Sequence, residues 1–291
     1  MTDDLVRKNF GLRGKPFSMT PDPDFLYWSA AHRNAHTVLN YGLLSGAPIT
    51  VLTGEIGTGK TTLIRKLLND MSEDMHLGLV SNAHRDRGNL LHWILNAFDI
   101  PLPAGGHHVA EFRAFQDHLV ETFAKGTHTV LVIDEAQTLG VDQLEELRML
   151  TNVNSGKDDL LQLILVGQPE LREILSAPQL TQFSQRISAF FHLRAMTPIE
   201  TESYIRHRLV CAGGTGEEID AAAIARIVEM SGCIPRLVNR ACDLSMVYAA
   251  ADSLPKVTED LVSAMLADGL FLTADRREPK TAPSAGHPGD A

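Results

Sequence analysis

At 291 residues, with 44% hydrophobic and 21% charged side chains, the chain is long enough for about two domains and has the composition of a folded globular protein. A formal net charge of −10 argues against nonspecific binding to nucleic acid or to an anionic membrane surface. No stretch approaches the roughly 18 consecutive apolar residues of a membrane span. Residues 1–9 carry Asp3 and Asp4 and no apolar run, so they do not read as a secretory leader. A cytoplasmic protein without direct membrane insertion is the expectation.

Residues 1–28 read as an N-terminal extended segment. Three prolines and interleaved aromatics across 10–28 suit packed irregular chain, which either faces an adenine or clamps onto the next domain. Ser29 is a candidate N-cap for a helix to about Leu44. His32 and Arg33 within it read better as a solvated face than as part of a ligand pocket. The β-branched run 49–52 then predicts a strand, and the apolar spacing of Leu63, Ile64, Leu67 and Leu68 predicts a helix after it.

Between that strand and helix lies Gly54-Glu55-Ile56-Gly57-Thr58-Gly59-Lys60-Thr61-Thr62, with the Gly-x-x-x-x-Gly-Lys-Thr spacing of a P-loop. Glycines let consecutive backbone N–H groups converge on phosphate oxygens at the positive end of the helix. Lys60 is placed to reach the β- and γ-phosphates, and Thr61 to put a hydroxyl on Mg²⁺. Nucleotide binding is the anchor of the reading, with ATP and Mg²⁺ as the expected cofactors.

A second strand is expected at 76–82, helices at 90–98 and 109–124, and a buried strand at 129–133. His107 and His108, in a Gly-rich turn, read as solvated. A helix at 144–150, a strand at 160–166, a helical stretch near 178–187 and a short strand at 189–193 complete an alternating pattern. Such alternation predicts a three-layer α/β domain over 29–196 with a parallel sheet and right-handed crossovers. From Thr197-Pro198 onward only helices are predicted: 198–211, 220–231, 235–251 and 258–269. They form a small all-α lid domain over 197–272, followed by a Pro/Gly/Ala-rich tail, 273–291, expected to be disordered. Cys211, Cys233 and Cys242 lack metal spacing and read as reduced thiols buried in a core.

Asp134-Glu135 ends the 129–133 strand, at the carboxyl edge where open α/β sheets bind ligands. Beside a P-loop, Asp134 would join Thr61 in holding Mg²⁺, and Glu135 would polarise the attacking water. Four further polar residues sit at positions with catalytic potential. Gln168, after the 160–166 strand, could order the water, and Asn82 could hold Glu135 away from it. Arg236, opening a lid helix, could reach the γ-phosphate, and Arg186 could project into a neighbouring subunit. Strand-end amides and surface ion pairs remain the alternatives for these four.

These segments resemble one family. The stretches 54–62, 130–137, Leu165-Val166-Gly167-Gln168-Pro169-Glu170-Leu171 and Ile234-Pro235-Arg236-Leu237-Val238-Asn239 look like AAA+ ATPases of the ExeA/GspA type. The opening Phe10-Gly-Leu-Arg, Pro16-Phe17, Pro21-Asp-Pro and Tyr41-Gly-Leu are similar to the same group. The resemblance implies a Walker A motif at 54–61, a Walker B motif at Asp134 and Glu135, sensor 1 at Gln168, sensor 2 at Arg236 and an arginine finger at Arg186. It also implies self-association as a ring or filament and a protein partner in a secretion or envelope (exopolysaccharide-type) system. Secretion members continue into a membrane helix and a peptidoglycan-binding domain; neither follows by Ala291, which favours a separate partner. Gln168 departs from the Asn, Ser or Thr common at sensor 1. The alternative is an ATP-dependent DNA-binding regulator of the TniB/TnsC transposition kind, supported locally only by Arg85 and Arg87. A P-loop kinase fits less well, because no acceptor-binding motif stands out.

Overall fold

The computed structural model describes residues 2–20, 22, 25–71, 74–81, 89–103, 105, 107–155, 158–269 and 271. Asn82, Arg85, Arg87 and the 273–291 tail therefore lie outside the described residues. The first element, α1 (Thr2–Phe10), was not anticipated from the sequence; α2 (Ala30–Leu44) follows, capped by the Ser29 side chain accepting from the His32 N–H. The P-loop strand is β1 (Ile49–Gly54) and the helix after the loop is α3 (Lys60–Asn69). Next come β2 (Met75–Ser81), α4 (Leu90–Ala97), α5 (His108–Ala124), β3 (His128–Asp134) and α6 (Val141–Leu150). A minimal hairpin, β4 (Asn154–Ser155) and β5 (Asp158–Asp159), leads into β6 (Leu161–Gly167).

The helical stretch expected near 178–187 is shorter and more broken. An unanticipated α7 (Glu170–Leu175) comes first, then a 3-10 turn at Pro178–Leu180 and the single-turn α8 (Thr181–Ser184). The strand β7 (Ile187–Leu193) starts two residues before its expected position.

The five long strands form one parallel sheet in the order β2-β3-β6-β1-β7. Successive side chains of a strand point to opposite faces. Accordingly Val51, Leu131, Ile133, Leu163 and Leu165 join one core with Leu91, Ile94, Phe115 and Leu147. Leu52, Val130, Val132, Ile164 and Val166 join another with Leu39, Leu63 and Leu67 from α2 and α3. Burial on both faces is why these strands read as unbroken apolar runs. The exception, Gln162, sits 6% exposed, and its amide donates to the Gly42 and Leu43 carbonyls at the end of α2, at 3.3 and 3.1 Å. Helix-end carbonyls lack intrahelical partners, so the polar side chain answers a local need.

The C-terminal helices are α9 (Pro198–Cys211), α10 (Ala221–Ser231), α11 (Pro235–Ala251) and α12 (Glu259–Ala267), close to their expected limits. Local chemistry sets their starts. Thr197 and Glu200 form a capping box, Asp220 accepts from the Ala223 N–H at 2.7 Å, and Pro235 opens α11. Their core includes Ile205, Leu209, Ile227, Val238 and Val262, and it also takes in Val6, Leu12 and Phe17 from the N-terminal segment. Backbone bonds from Arg13 and Gly14 to the Ala212 carbonyl, 2.8 and 3.2 Å, pin that segment to α9. Cys233 and Cys242 are buried in this core as expected, but Cys211, at the end of α9, is exposed and not a core thiol. Among the described residues, no helix is long and apolar enough to cross a membrane.

Candidate functional site: a phosphate cradle between sheet and lid

The strand order determines what meets what. With β6 between β1 and β3, the carboxyl ends of the three strands present Gly54, Gly167 and Asp134 side by side. The loop after β1 turns into α3 through Gly57 (φ +83°) and Gly59 (φ +99°), both in the left-handed region that other residues rarely adopt. The loop and the lid enclose a cleft of about 370 Å³ lined by Lys60, Thr61, Thr62, Glu135 and Arg236, among others. That volume suits a small-molecule ligand.

Lys60 is only 6% exposed and folds back onto its own loop, donating to the Gly54 and Glu55 carbonyls at 2.6 and 3.0 Å. Burial pushes the Lys60 pKa down, and the carboxylates of Glu135, Asp134, Glu55 and Glu170 oppose that push. Thr61 donates its hydroxyl to Asp134 Oδ2 at 2.9 Å. Burial raises the Asp134 pKa above the usual carboxylate value, against the bonds from Thr61 and from the Glu135 N–H.

Glu135 stands at φ +58°, a left-handed conformation for a non-glycine residue that costs on the order of 1–2 kcal/mol. The turn swings its side chain back over the strand ends. There Gln137 Nε2 donates to Glu135 Oε2 at 2.6 Å and Gln168 Nε2 donates to the same oxygen at 3.1 Å. Gln168, expected to order a water, thus contacts the carboxylate itself. Asn82, expected to hold Glu135, is outside the described residues. Gln137, quoted from the sequence only as part of a motif, is the functional neighbour that spacing did not single out.

From the lid, the Arg236 N–H donates to the Gly57 carbonyl at 3.1 Å, and a Cβ on Gly57 would lie 2.5 Å from the Arg236 Cβ. The C-terminal helices therefore contact the P-loop directly. Arg186 is elsewhere. It immediately precedes Ile187, which pairs with Ile49 at the start of β1, so it lies at the sheet edge opposite the P-loop. Its guanidinium donates to Asn152 Oδ1, to the Thr151 carbonyl at 2.8 Å and to Asp159 at 3.4 Å. The structure does not bring Arg186 to the P-loop of its own chain.

His32 corrects the sequence reading. It is 4% exposed, not solvated, and contacts both Ser29 Oγ (Nδ1, 2.8 Å) and the Thr58 carbonyl (Nε2, 3.1 Å). An imidazole donating from Nε2 and accepting at Nδ1 satisfies both, which is the neutral tautomer. Its ring supports the loop at Gly59, whose added Cβ would sit 3.0 Å from Nε2. Arg33 is exposed and donates to the Trp28 carbonyl. Among aromatics of the N-terminal segment, Phe17 is buried in the core of the C-terminal helices, as the clamp reading expects, while Phe25 and Tyr27 pack against that core and line the cleft. Arg208 ties that segment down, donating from Nε to the Pro16 carbonyl at 2.6 Å and from Nη1 to the Tyr204 hydroxyl at 2.9 Å. His108, expected to be solvated, contacts Glu146 at 2.8 Å.

Burial pulls the His32 pKa below its ordinary value, with the Thr58 carbonyl and Glu200 opposing. In the unfolded chain the same imidazole takes a proton near pH 6.5, so the unfolded state binds more protons below that pH and folding weakens as pH falls. His36, His118 and His207 shift in the same direction. The readout is therefore the difference between wild type and His32→Leu. The variant should lose about 1–3 kcal/mol at pH 8 by stranding two buried polar groups. It should also lose less thermal stability than wild type between pH 7 and 5.5. An equal pH slope in both proteins would refute the assignment.

Comparison with known proteins places these features. Residues 43–175 match the family model of the AAA domain. The chain is 38% identical over 254 residues to general secretion pathway protein A of Aeromonas hydrophila, covering 87% of this chain and 46% of that protein. It thus spans about half the length of that relative. Among solved structures, it is similar to the Cdc6p of Pyrobaculum aerophilum (18% identity, TM-score 0.68, 83% of this chain and 67% of that one). It is also similar to the ORC2 protein of Aeropyrum pernix in ADPNP-ADP complexes (20% identity, TM-score 0.62, 87% and 71%). At these identities the likeness speaks to the fold.

Proposed function

Because the chain belongs to the AAA+ ATPases of the ExeA/GspA type, we propose that it binds ATP in the cleft between sheet and lid and hydrolyses it to drive or regulate a partner complex in secretion. The observation that carries hydrolysis is Glu135. Two amides hold its Oε2, and no hydrogen bond from a described residue reaches Oε1, beside a P-loop in the same cleft. A protein that only bound nucleotide would have no need to orient a carboxylate there.

Each group has a role that follows from its place. Loop N–H groups of residues 54–62 cradle the phosphates at the α3 N-terminus. Lys60 exchanges the Gly54 and Glu55 carbonyls for β- and γ-phosphate oxygens, a better match for a buried cation. Glu135 Oε1 takes the proton of the attacking water, and Gln168 keeps its side-chain carbonyl free to accept from that water. Thr61 and Asp134, hard oxygen donors already 2.9 Å apart, fit Mg²⁺, which supplies charge neutralisation at the phosphates when bound. Arg236 answers the γ-phosphate from the lid, so that hydrolysis changes lid position.

Arg186, at the far edge of the sheet, serves a neighbouring copy as a finger in a ring or filament. A cytoplasmic protein working with a separate envelope partner fits this reading. The experiment is turnover against protein concentration. Specific ATPase activity should rise as the chain associates, and Arg186→Ala should lower kcat about 10³-fold without weakening ATP binding. Undiminished specific activity in dilute, monomeric protein would rule out the finger.

A further inference from the structure

The Walker B glutamate is held by a group outside the motif's usual acids, and the strand-end geometry shows how. Gln137 lies in the 3-10 turn Ala136–Thr138 that follows Glu135. Both ends of its side chain are engaged. Nε2 donates to Glu135 Oε2 at 2.6 Å, and Oε1 accepts the backbone N–H of Gln168 at 3.0 Å. One amide thus links the end of β3 to the end of β6 and hands Gln168, whose own Nε2 meets the same carboxylate oxygen at 3.1 Å, its position.

The neighbouring residues make room for this link. Gly167 closes β6, and a Cβ there would lie 2.9 Å from Gln137 Oε1 and 2.8 Å from Leu171 Cδ2. A side chain at 167 would therefore have to displace the ends of Gln137 and Leu171, and this approach, not a left-handed φ, is what favours glycine there.

We infer that Gln137 is a positioning residue that fixes Glu135 through Oε2, so that Oε1 faces the water, and that Gly167 is glycine to admit it. The inference rests on the reading of Glu135 as general base. A loosened base costs rate and not affinity, because misplacement of a reacting group by about 1 Å costs on the order of 10²-fold. Neither Lys60 nor the loop N–H groups contact Gln137, so the nucleotide is held as before.

The test uses the full chain in steady-state ATPase assays. Gln137→Glu keeps the size of the side chain and an acceptor for the Gln168 N–H but replaces the donor to Glu135 with a carboxylate oxygen that repels it. It should lower kcat about 10–100-fold, with KM for ATP within about twofold of wild type. Gly167→Ala, which displaces the Gln137 amide, should lower kcat in the same direction with KM likewise kept. On a Glu135→Gln background, where no base is left to position, Gln137→Glu should cause no further loss. Full turnover in Gln137→Glu would overturn the inference, as would an equal additional loss on the Glu135→Gln background. Failure of the underlying reading looks different: Glu135→Gln alone would then hydrolyse ATP like wild type. A nucleotide-induced rise in melting temperature in each variant identifies properly folded protein.

Discussion

Glu135→Gln is expected to reduce kcat by about 10²–10⁴-fold while leaving ATP bound, because it removes the proposed general base and little else. The substituted amide has nearly the shape of the carboxylate, and its oxygen can accept from Gln137 and Gln168 as Oε2 does at 2.6 and 3.1 Å. The left-handed backbone at 135 is unaffected by the exchange. Lys60, Thr61 and the loop N–H groups, to which the proposal gives the phosphates, remain in place. Single-turnover measurements should show radiolabelled ATP retained over many wild-type turnover times. Wild-type-like hydrolysis by Glu135→Gln would remove the base assignment, and with it the argument that this cleft does chemistry.

Lys60→Ala should abolish measurable nucleotide binding, and its effect on the ligand-free protein should be small. Without ligand, Lys60 is a 6% exposed cation whose desolvation pulls its pKa down, compensated by two loop carbonyls and surrounding carboxylates. Replacing it relieves that desolvation but leaves the Gly54 and Glu55 carbonyls without their donor, so the two effects oppose and the ligand-free melting temperature should change little. What should vanish is the shift caused by nucleotide. At a concentration 100 times Kd, ligand stabilises the folded state by about 2.7 kcal/mol. For a chain of this size that is roughly 5–11 °C in Tm. Retention of the full shift in Lys60→Ala would mean that nucleotide binds elsewhere or not at this loop.

Much of the site is local chemistry, and local chemistry is written in order along the chain. The P-loop needs its glycines, its lysine and its threonine at fixed spacing, because one short loop must wrap one phosphate chain. The runs at 49–52, 129–133 and 160–166 declare buried parallel strands because both of their faces are covered. The lid helices carry their own start signals at Thr197, Asp220 and Pro235, and they begin where those signals stand. Alternation of strands and helices, then helices alone, suffices for a P-loop α/β fold with a helical C-terminal part.

His32 shows where such reading stops. On its helix it is one polar residue among several, with no periodicity to separate a buried face from a solvated one. Only the packing of α2 beside the loop puts its ring between Ser29 and Thr58. Gln137 and Gln168 are 31 residues apart, and nothing in their spacing says that they share an oxygen of Glu135. They meet because β6 inserts between β1 and β3, and strand order is a long-range choice among hydrophobic faces that the individual strands do not encode. Arg186 illustrates the same limit from the other side, since its register beside Ile49 sends it to the edge away from its own P-loop. The sequence by itself determined a P-loop between a strand and a helix and two acids at a strand end. The tertiary structure decided which side chains hold those acids in place, because hydrogen-bond partners are chosen by distance in space and not by distance along the chain.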